Sequence, residues 1–294
     1  MNGKPTIEQI VSVAPEASDL VEIGSGGFKV VYKATIDGQV EALKLAYIPS
    51  DPNDPSLRDE NIKRIHREIS ILAKCNNPYL VKLGSVEPRP CTIGNHDYVL
   101  YSEEMIEGDS LRELIANNYQ SSCEEIKELG LCLLQVVHDL ATQKIIHRDI
   151  KPANVIKTAE AERPYMLLDL GIAFQLGGTQ LTQDSLRIPG TLYYIAPEML
   201  DPGFRQNLDY RADLYTIGLT LYEFASGTNP FAHVSDPQFT TLYRIKTEKP
   251  KPLHELRTDL PRALCQLIDQ LMKKVPALRP ANIKSLIKRM EMFS

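Results

Sequence analysis

The prevailing spacing of apolar residues differs between two parts of this 294-residue chain, which meet close to Gly108. Before that point, short apolar runs that suit β-strands alternate with turn residues, as in "LVEI", "KVVYKATI" and "QVEALKLAYI". After it, apolar residues recur every three or four positions along longer segments, which is the spacing of amphipathic helices. The sequence therefore predicts an α+β protein whose first hundred residues are mostly sheet with one helix and whose remainder is mostly helical.

Within the first hundred residues, turn chemistry and periodicity define the elements. Asp37 and Gly38 separate two β-rich runs, and this dipeptide is a strong hairpin signal. The segment "PSDPNDPSLRDE" is expected to be an exposed loop because Pro and Asp favour turns. Helical spacing then predicts one amphipathic helix from about Arg58 to Cys75, and two more strands are expected between residues 79 and 104.

The helical part begins with a clear start signal. Ser122 and Glu125 have the spacing of a capping box, so they predict the first turn of a long amphipathic helix. Residues 212–227 are apolar nearly all round, which suits a helix buried at the centre of a domain. Two further helices are expected at about residues 261–273 and 280–292.

Composition argues against several classes of protein. A net charge of -5 does not suit a general nucleic-acid binder, which needs clustered Lys and Arg. The five cysteines are scattered without a Cys-x-x-Cys pair, so neither a disulfide framework nor a zinc site is indicated. No apolar stretch reaches the roughly 18 residues of a membrane span. We therefore expect a cytoplasmic protein with no nucleic-acid or membrane partner.

Two stretches of the predicted sheet could bind a nucleotide. "IGSGGFKVVY" places glycines between two strands, where backbone N–H groups can approach phosphates closely, although such a cluster alone more often marks a hairpin turn. Ala42 and Lys44 share a face of the third strand, so a cation lies beside a small apolar residue. A lone strand Lys more often faces solvent. Glu68 would pair with Lys44 if the predicted helix packs on the sheet, and a solvent-facing Glu68 is the alternative.

The segment "HRDIKPAN" combines an Asp, a Lys and an Asn in a stretch that Pro152 makes unsuitable for a helix interior. Phosphoryl transfer needs such groups, which orient a hydroxyl, neutralise charge and help to hold a metal ion. Asp169 ends the apolar run of "LLDLG", and together with Asn154 it offers the oxygen ligands that Mg²⁺ prefers. Taken alone, Asp169 would be assigned to a turn or a helix cap.

In this order and at these separations, the motifs resemble the catalytic domain of eukaryotic-type (Hanks-type) serine/threonine protein kinases, which also occur in bacteria. The resemblance runs from about residue 18 to residue 290. It implies a bilobal fold with a leader at 1–17, a small antiparallel-sheet N-lobe with one helix at 18–104 and a larger helical C-lobe at 105–294. ATP and Mg²⁺ would bind in the cleft between the lobes, and the partner would be a protein substrate with a Ser or Thr acceptor.

The resemblance also assigns roles to individual residues. Asp149 becomes the catalytic base, and Lys151 touches the γ-phosphate as in kinases that act on Ser and Thr. Mg²⁺ is bound by Asn154 and Asp169. Lys44, paired with Glu68, holds the α- and β-phosphates, and the other nucleotide contacts are Ile23, Gly24, Ser25, Gly26, Gly27, Val31, Ala42, Glu104 and Ile106.

Further parts of the resemblance concern structure and regulation. "GTLYYIAPE" resembles the end of an activation segment, whose Glu198 is tied to Arg279 in the family. Asp213 resembles the residue that braces the catalytic loop from a buried helix. The resemblance gives Arg148 the role of gathering a phosphate on the activation segment, which orders the loop, and autophosphorylation is expected at Thr179, Thr182 or Ser185.

The chain departs from the family pattern at three positions. Lys29 replaces the third glycine of the loop, and Leu170 stands where the metal-binding triplet usually has Phe. Glu103 occupies the gatekeeper position, which borders the adenine site and is usually apolar. The alternative function is a pseudokinase, that is, a nucleotide-binding scaffold without transfer activity, and among these departures only Lys29 supports it. A small-molecule kinase is a further alternative, which "GTLYYIAPE" and the helix of Asp213 disfavour.

Overall fold

The computed structural model describes residues 4–26, 29–49, 55–170, 174–175, 191–204, 207–233 and 236–293. These residues belong to two compact units, of which the first comprises Met1–Asn76 and Val81–Ile106 and the second comprises Asn77–Leu80 and Glu107–Ser294. Among the predicted site residues, Gly27, Thr179, Thr182 and Ser185 lie outside the described residues, as does the side chain of Glu68.

The first unit is built on an antiparallel sheet of five strands in the order β1-β2-β3-β5-β4. Asp37 and Gly38 adopt φ angles of 49° and 79° between β2 and β3, as a tight hairpin turn requires, so the predicted hairpin is confirmed. Apolar side chains of β1, β2, β3 and β5 form the main core of this unit. The strands are β1 (Ala17–Ser25), β2 (Lys29–Ile36), β3 (Gln39–Ile48), β4 (Arg89–Ile93) and β5 (His96–Glu104).

Two helices of this unit differ from the sequence-based expectation. The helix α2 (Pro55–Lys74) begins three residues before Arg58, so the second half of the expected loop is helical. Proline is tolerated in a first turn because its missing N–H has no partner there in any case. The helix α1 (Ile7–Val13) lies within the expected leader and was not predicted, because seven residues show too little periodicity. Ile10 of α1 is fully buried in the core of the sheet, so this segment is an integral part of the first unit.

The second unit is mostly helical, as predicted. Ser122 forms a capping box with Glu125 at the start of α4, and α5 is buried along nearly its whole length. Two small antiparallel sheets, ordered β6-β8-β9 and β7-β10, flank the polar segment 147–154. The helices are α3 (Leu111–Ala116), α4 (Cys123–Thr142), α5 (Arg211–Ser226), α6 (Gln238–Thr247), α7 (Arg262–Leu271) and α8 (Ile283–Glu291). The strands are β6 (Asp109–Ser110), β7 (Ile145–Ile146), β8 (Val155–Lys157), β9 (Tyr165–Leu167) and β10 (Phe174–Gln175).

Within the described ranges, no helix is both long enough and apolar enough to span a bilayer.

Candidate active site

The polar segment 147–154 is anchored to the buried helix α5 through one carboxylate. Asp213 accepts hydrogen bonds from the backbone N–H groups of His147 and Arg148, each at 2.8 Å. Burial raises the pKa of Asp213 to about 7, and the two N–H donors oppose this rise. Because α5 lies in the core, these bonds fix the backbone of the segment immediately before Asp149.

Three polar side chains of this segment converge. Lys151 Nζ donates to both carboxylate oxygens of Asp149, at 2.7 and 2.8 Å. Asn154 Nδ2 donates to Asp149 Oδ2 at 2.8 Å and to the Asp149 carbonyl at 2.9 Å. Residues Pro152–Asn154 form one 3₁₀ turn, which brings Asn154 back towards Asp149. The structure thus joins the predicted catalytic pair and one predicted metal ligand in a single cluster.

The environment of Asp149 changes its acidity. Burial raises the pKa of Asp149, and the ammonium of Lys151 together with the hydrogen bonds from Lys151 and Asn154 opposes this rise. The charge of Asp169 raises it further, so the two carboxyl groups lie close enough to interact. His147 is fully buried, and burial lowers its pKa to about 3, so its ring is neutral near pH 7.

Asp169, the second predicted metal ligand, follows β9 and is tied to the same cluster through the backbone. The N–H of Leu168 donates to the carbonyl of Asn154 at 2.7 Å. Asp169 itself has a φ of 59°, a left-handed conformation that few residues other than glycine adopt. Asp is one of these residues, because its short polar side chain can form local hydrogen bonds.

The oxygen atoms of this cluster suit Mg²⁺. Asn154 donates through Nδ2, so its Oδ1 is the atom that can ligate a cation, and Asp169 supplies a carboxylate. The described residues contain no group of three or more His, Cys, Asp or Glu arranged to hold a metal ion. In proteins, Mg²⁺ is often bound by one or two protein oxygens and takes its other ligands from phosphates and water, so Asn154 and Asp169 are enough for a candidate site.

Most of the predicted nucleotide-binding residues of the first unit lie on β1, β2 and β3, whereas Gly26 follows β1, Glu104 ends β5 and Ile106 follows β5. Lys44 is buried in the sheet, and its Nζ forms an ion pair with Glu103 Oε2 on β5 at 2.5 Å. Ala42 is also buried. The predicted pair between Lys44 and Glu68 stays a prediction, because the side chain of Glu68 is outside the described part. The sequence indicated that Glu103 is unusual but not that it contacts Lys44, because strand register is not visible in the sequence.

The glycine loop lies between β1 and β2. The N–H of Gly26 donates to the carbonyl of Lys29 at 2.8 Å. A methyl group added at Gly26 would meet no atom of the described residues within 4 Å, and one at Gly24 would touch only Val31, at 4.0 Å. As far as the described residues are concerned, the space beside these glycines is open, and close approach of a phosphate to the backbone requires such space. Ile23 is exposed, and Val31 is half-buried on β2.

Glu104 and Ile106 lie where the first unit ends. The N–H of Glu104 donates to the carbonyl of Lys82 at 3.0 Å, and its side chain accepts the N–H of Lys82 at 2.9 Å. A hydrogen bond from the Glu104 backbone to adenine would therefore have to use its carbonyl oxygen. Ile106 is half-buried.

Two residues of the segment 191–198 form polar contacts with helices or loops elsewhere in the second unit. Glu198 forms a bidentate ion pair with Arg279, at 2.6 and 2.7 Å. The hydroxyl of Tyr194 donates to Glu223 Oε2 at 2.7 Å. This second contact could not be expected from the sequence, because nothing there indicates a partner for the Tyr194 hydroxyl.

Comparison with known proteins points to one family. The family model described as "Protein kinase domain" matches residues 18–290. A probable serine/threonine-protein kinase of Clostridium perfringens is 26% identical over 270 residues, which are 92% of this chain and 37% of that protein. A second, from Streptomyces coelicolor, is 30% identical over 233 residues, which are 78% of this chain and 32% of that protein.

A eukaryotic relative shows a similar level of identity. The mouse inhibitor of nuclear factor kappa-B kinase subunit epsilon is 31% identical over 241 residues, which are 78% of this chain and 32% of that protein. The chain therefore spans only 32% to 37% of the length of these three relatives.

Proposed function

Because the chain belongs to the protein kinase family, we propose that it transfers the γ-phosphoryl group of ATP to Ser or Thr hydroxyls of proteins. The observation that supports this most directly is the cluster of Asp149, Lys151 and Asn154, braced by Asp213 from a buried helix. Such a cluster offers a hydrogen-bond acceptor, a cation and an oxygen ligand within a few ångströms, and these are the groups that phosphoryl transfer needs.

In this function Asp149 accepts a hydrogen bond from the acceptor hydroxyl and orients its oxygen for in-line attack. Lys151, which contacts both oxygens of Asp149, neutralises charge that develops on the transferred phosphoryl group. Asn154 and Asp169 would hold Mg²⁺, which neutralises phosphate charge when bound. Most of the rate gain would come from this positioning and charge neutralisation.

The nucleotide would be held by residues of the glycine loop and of β3. Gly24, Gly26 and Gly27 would let backbone N–H groups approach the phosphates, and Lys44 would bind the α- and β-phosphates. Adenine would donate a hydrogen bond to the backbone carbonyl of Glu104 and would also contact the backbone of Ile106. A hydroxyl specificity for Ser and Thr follows from Lys151, by its resemblance to the lysine of kinases with that specificity.

Two finer parts of the proposal concern regulation and location. Autophosphorylation at Thr179, Thr182 or Ser185 would supply the phosphate that the family resemblance assigns to Arg148. A reducing cytoplasm is supported by the cysteines, since all five are free thiols.

The test is the transfer of labelled phosphate from ATP with Mg²⁺ to the protein itself and to a generic protein acceptor. We expect Asp149→Asn to reduce transfer by about 10²–10⁴-fold, the usual contribution of a positioned base. Asp259→Asn is the matched control, because Asp259 is an exposed carboxylate of the same unit that pairs with Arg257, and this variant should keep full transfer. Hydrolysis of the labelled protein then shows whether the phosphate is on Ser, Thr or Tyr.

Two results would refute the proposal. Wild-type protein that binds ATP but transfers no phosphate to any protein would indicate a nucleotide-binding scaffold. Transfer to small hydroxylated acceptors alone would indicate a small-molecule kinase.

A further inference from the structure

The ion pair between Lys44 and Glu103 is unusual in its burial. The two side chains are exposed by only 6% and 3%, and the charged atoms are 2.5 Å apart. A charge taken out of water costs several kcal/mol unless it is paired and hydrogen-bonded. Each of these two groups therefore compensates for the burial of the other.

Strand register explains why the two side chains meet. Ala42 lies directly opposite Glu103 in the pairing of β3 with β5, so Lys44 is the diagonal neighbour of Glu103. Diagonal neighbours in adjacent antiparallel strands lie roughly 7–8 Å apart, which is within reach of long side chains. Side chains alternate along a strand, so Ala42 and Lys44 are on the same face as Glu103.

Both strands are interior to the sheet. β3 is bonded to β2 and β5, and β5 is bonded to β3 and β4. Interior strands open less readily than sheet edges or loops, because their backbone hydrogen bonds are protected on both sides. At Glu103 itself, β5 is paired with Ala42 of β3 on one side and forms an isolated bridge with Leu83 on the other, so Lys44 is held from a strand that is paired on both sides.

We propose that Glu103 is a positioning residue, which fixes the ammonium of Lys44 against β5 so that Lys44 meets the nucleotide phosphates. An ammonium has three N–H donors, and the contact with Glu103 uses one of them. The acidic gatekeeper thereby takes over part of the role that the family resemblance gives to Glu68. The consequence for ATP rests on the proposed function, whereas the pairing itself does not.

The variant Glu103→Gln tests this, because it keeps the shape of the side chain and removes its charge. Loss of one charge-assisted hydrogen bond should raise KM for ATP about tenfold, which corresponds to about 1.4 kcal/mol, while kcat changes by less than about threefold. Glu103→Asp, which restores the charge on a shorter side chain, should recover part of the loss.

A second measurement reports on Lys44 directly. The protein is labelled with ¹³C at the ε-carbon of lysine, and the resonance of Lys44 is identified by its absence in Lys44→Arg. In Glu103→Gln this resonance should move, and it should lose its charged-state shift at a lower pH than in the wild type, because a buried cation that loses the counter-charge of Glu103 deprotonates more easily.

The matched control is Glu41→Gln. Like Glu103, Glu41 is a buried carboxylate of the sheet, but it lies on β3, on the opposite face from Lys44. It accepts hydrogen bonds from the Ser85 N–H and the Ser102 hydroxyl. Its loss should lower stability and leave the Lys44 resonance unchanged. A general effect of removing a buried carboxylate from this sheet is thereby separated from a specific effect on Lys44.

The outcomes distinguish the two proposals. An active wild type in which Glu103→Gln leaves both KM for ATP and the Lys44 resonance unchanged would overturn the positioning role. Tighter ATP binding in Glu103→Gln would also overturn it, because it would mean that Glu103 draws Lys44 away from the phosphates. An inactive wild type whose Lys44 resonance still responds to Glu103→Gln would refute the proposed function and support the pairing.

Discussion

Replacing Glu198 by Gln should destabilise the second unit by about 3 kcal/mol, because it leaves the buried charge of Arg279 without its counter-charge. Arg279 has a side chain that is 0% exposed, and it forms two hydrogen bonds with Glu198. Its other three N–H donors are bonded to backbone carbonyls, at 2.8 Å to Lys273, 2.7 Å to Arg211 and 3.2 Å to Lys274. All five donors of the guanidinium are therefore used.

The magnitude follows from these contacts. Breaking a buried ion pair by removing one partner costs about 3–5 kcal/mol. We expect the lower end of this range, because the three carbonyl contacts remain and the guanidinium lies over the ring of Tyr215, with its carbon 5.0 Å from the ring centroid. The carbonyl hydrogen bonds and the cation–π contact continue to stabilise the guanidinium when the carboxylate is lost.

The measurement is urea unfolding followed by circular dichroism, with the m-value compared between variants. Asp259→Asn serves as the control, because the pair of Arg257 with Asp259 is also an Arg–carboxylate pair, but the Asp259 side chain is 62% exposed. Exposed pairs contribute about 0–1 kcal/mol, so this variant should remain close to the wild type. If Glu198→Gln lost less than about 1 kcal/mol at an unchanged m-value, the reasoning from burial would be wrong.

Three further changes have defined outcomes. Gly84→Ala should lower the free energy of unfolding by about 1–3 kcal/mol in urea, since its Cβ would lie 2.3 Å from Glu41 Oε2. Lys151→Met should move the acid limb of the transfer rate to higher pH, because Lys151 lowers the pKa of Asp149. Burial raises the pKa of Asp213 from 3.8 to about 7, so its contribution to stability is complete below pH 3.8 and is lost as the pH rises through 7. Asp213→Asn should abolish this part of the pH dependence in urea unfolding.

Local signals in the sequence predicted much of the fold. The turn at Asp37 and Gly38 depends on two residues that tolerate positive φ, and the start of α4 depends on a reciprocal cap between Ser122 and Glu125. The burial of α5 followed from its apolar character on every side. In each case the interactions that cause the structure are between residues close together in the chain, so the structure could be predicted from the sequence.

The segment 147–154 shows which contacts could be predicted from the sequence and which could not. The spacing of Asp149, Lys151 and Asn154 within eight residues already confined them to one loop. The backbone bonds from His147 and Arg148 to Asp213 join residues more than sixty positions apart, and the resemblance to a family was needed to expect them. Periodicity alone contains no information on such a contact.

By itself, the sequence determined the order of sheet and helices, the hairpin turn, the cap of α4 at Ser122 and the grouping of polar residues in the segment 147–154. The tertiary structure decided that Lys44 pairs with Glu103, that Arg279 uses all five of its donors, and that α1 belongs to the core of the first unit. The reason is that local elements follow from interactions between near neighbours along the chain. Strand register and the pairing of buried charges depend instead on segments that only folding brings together.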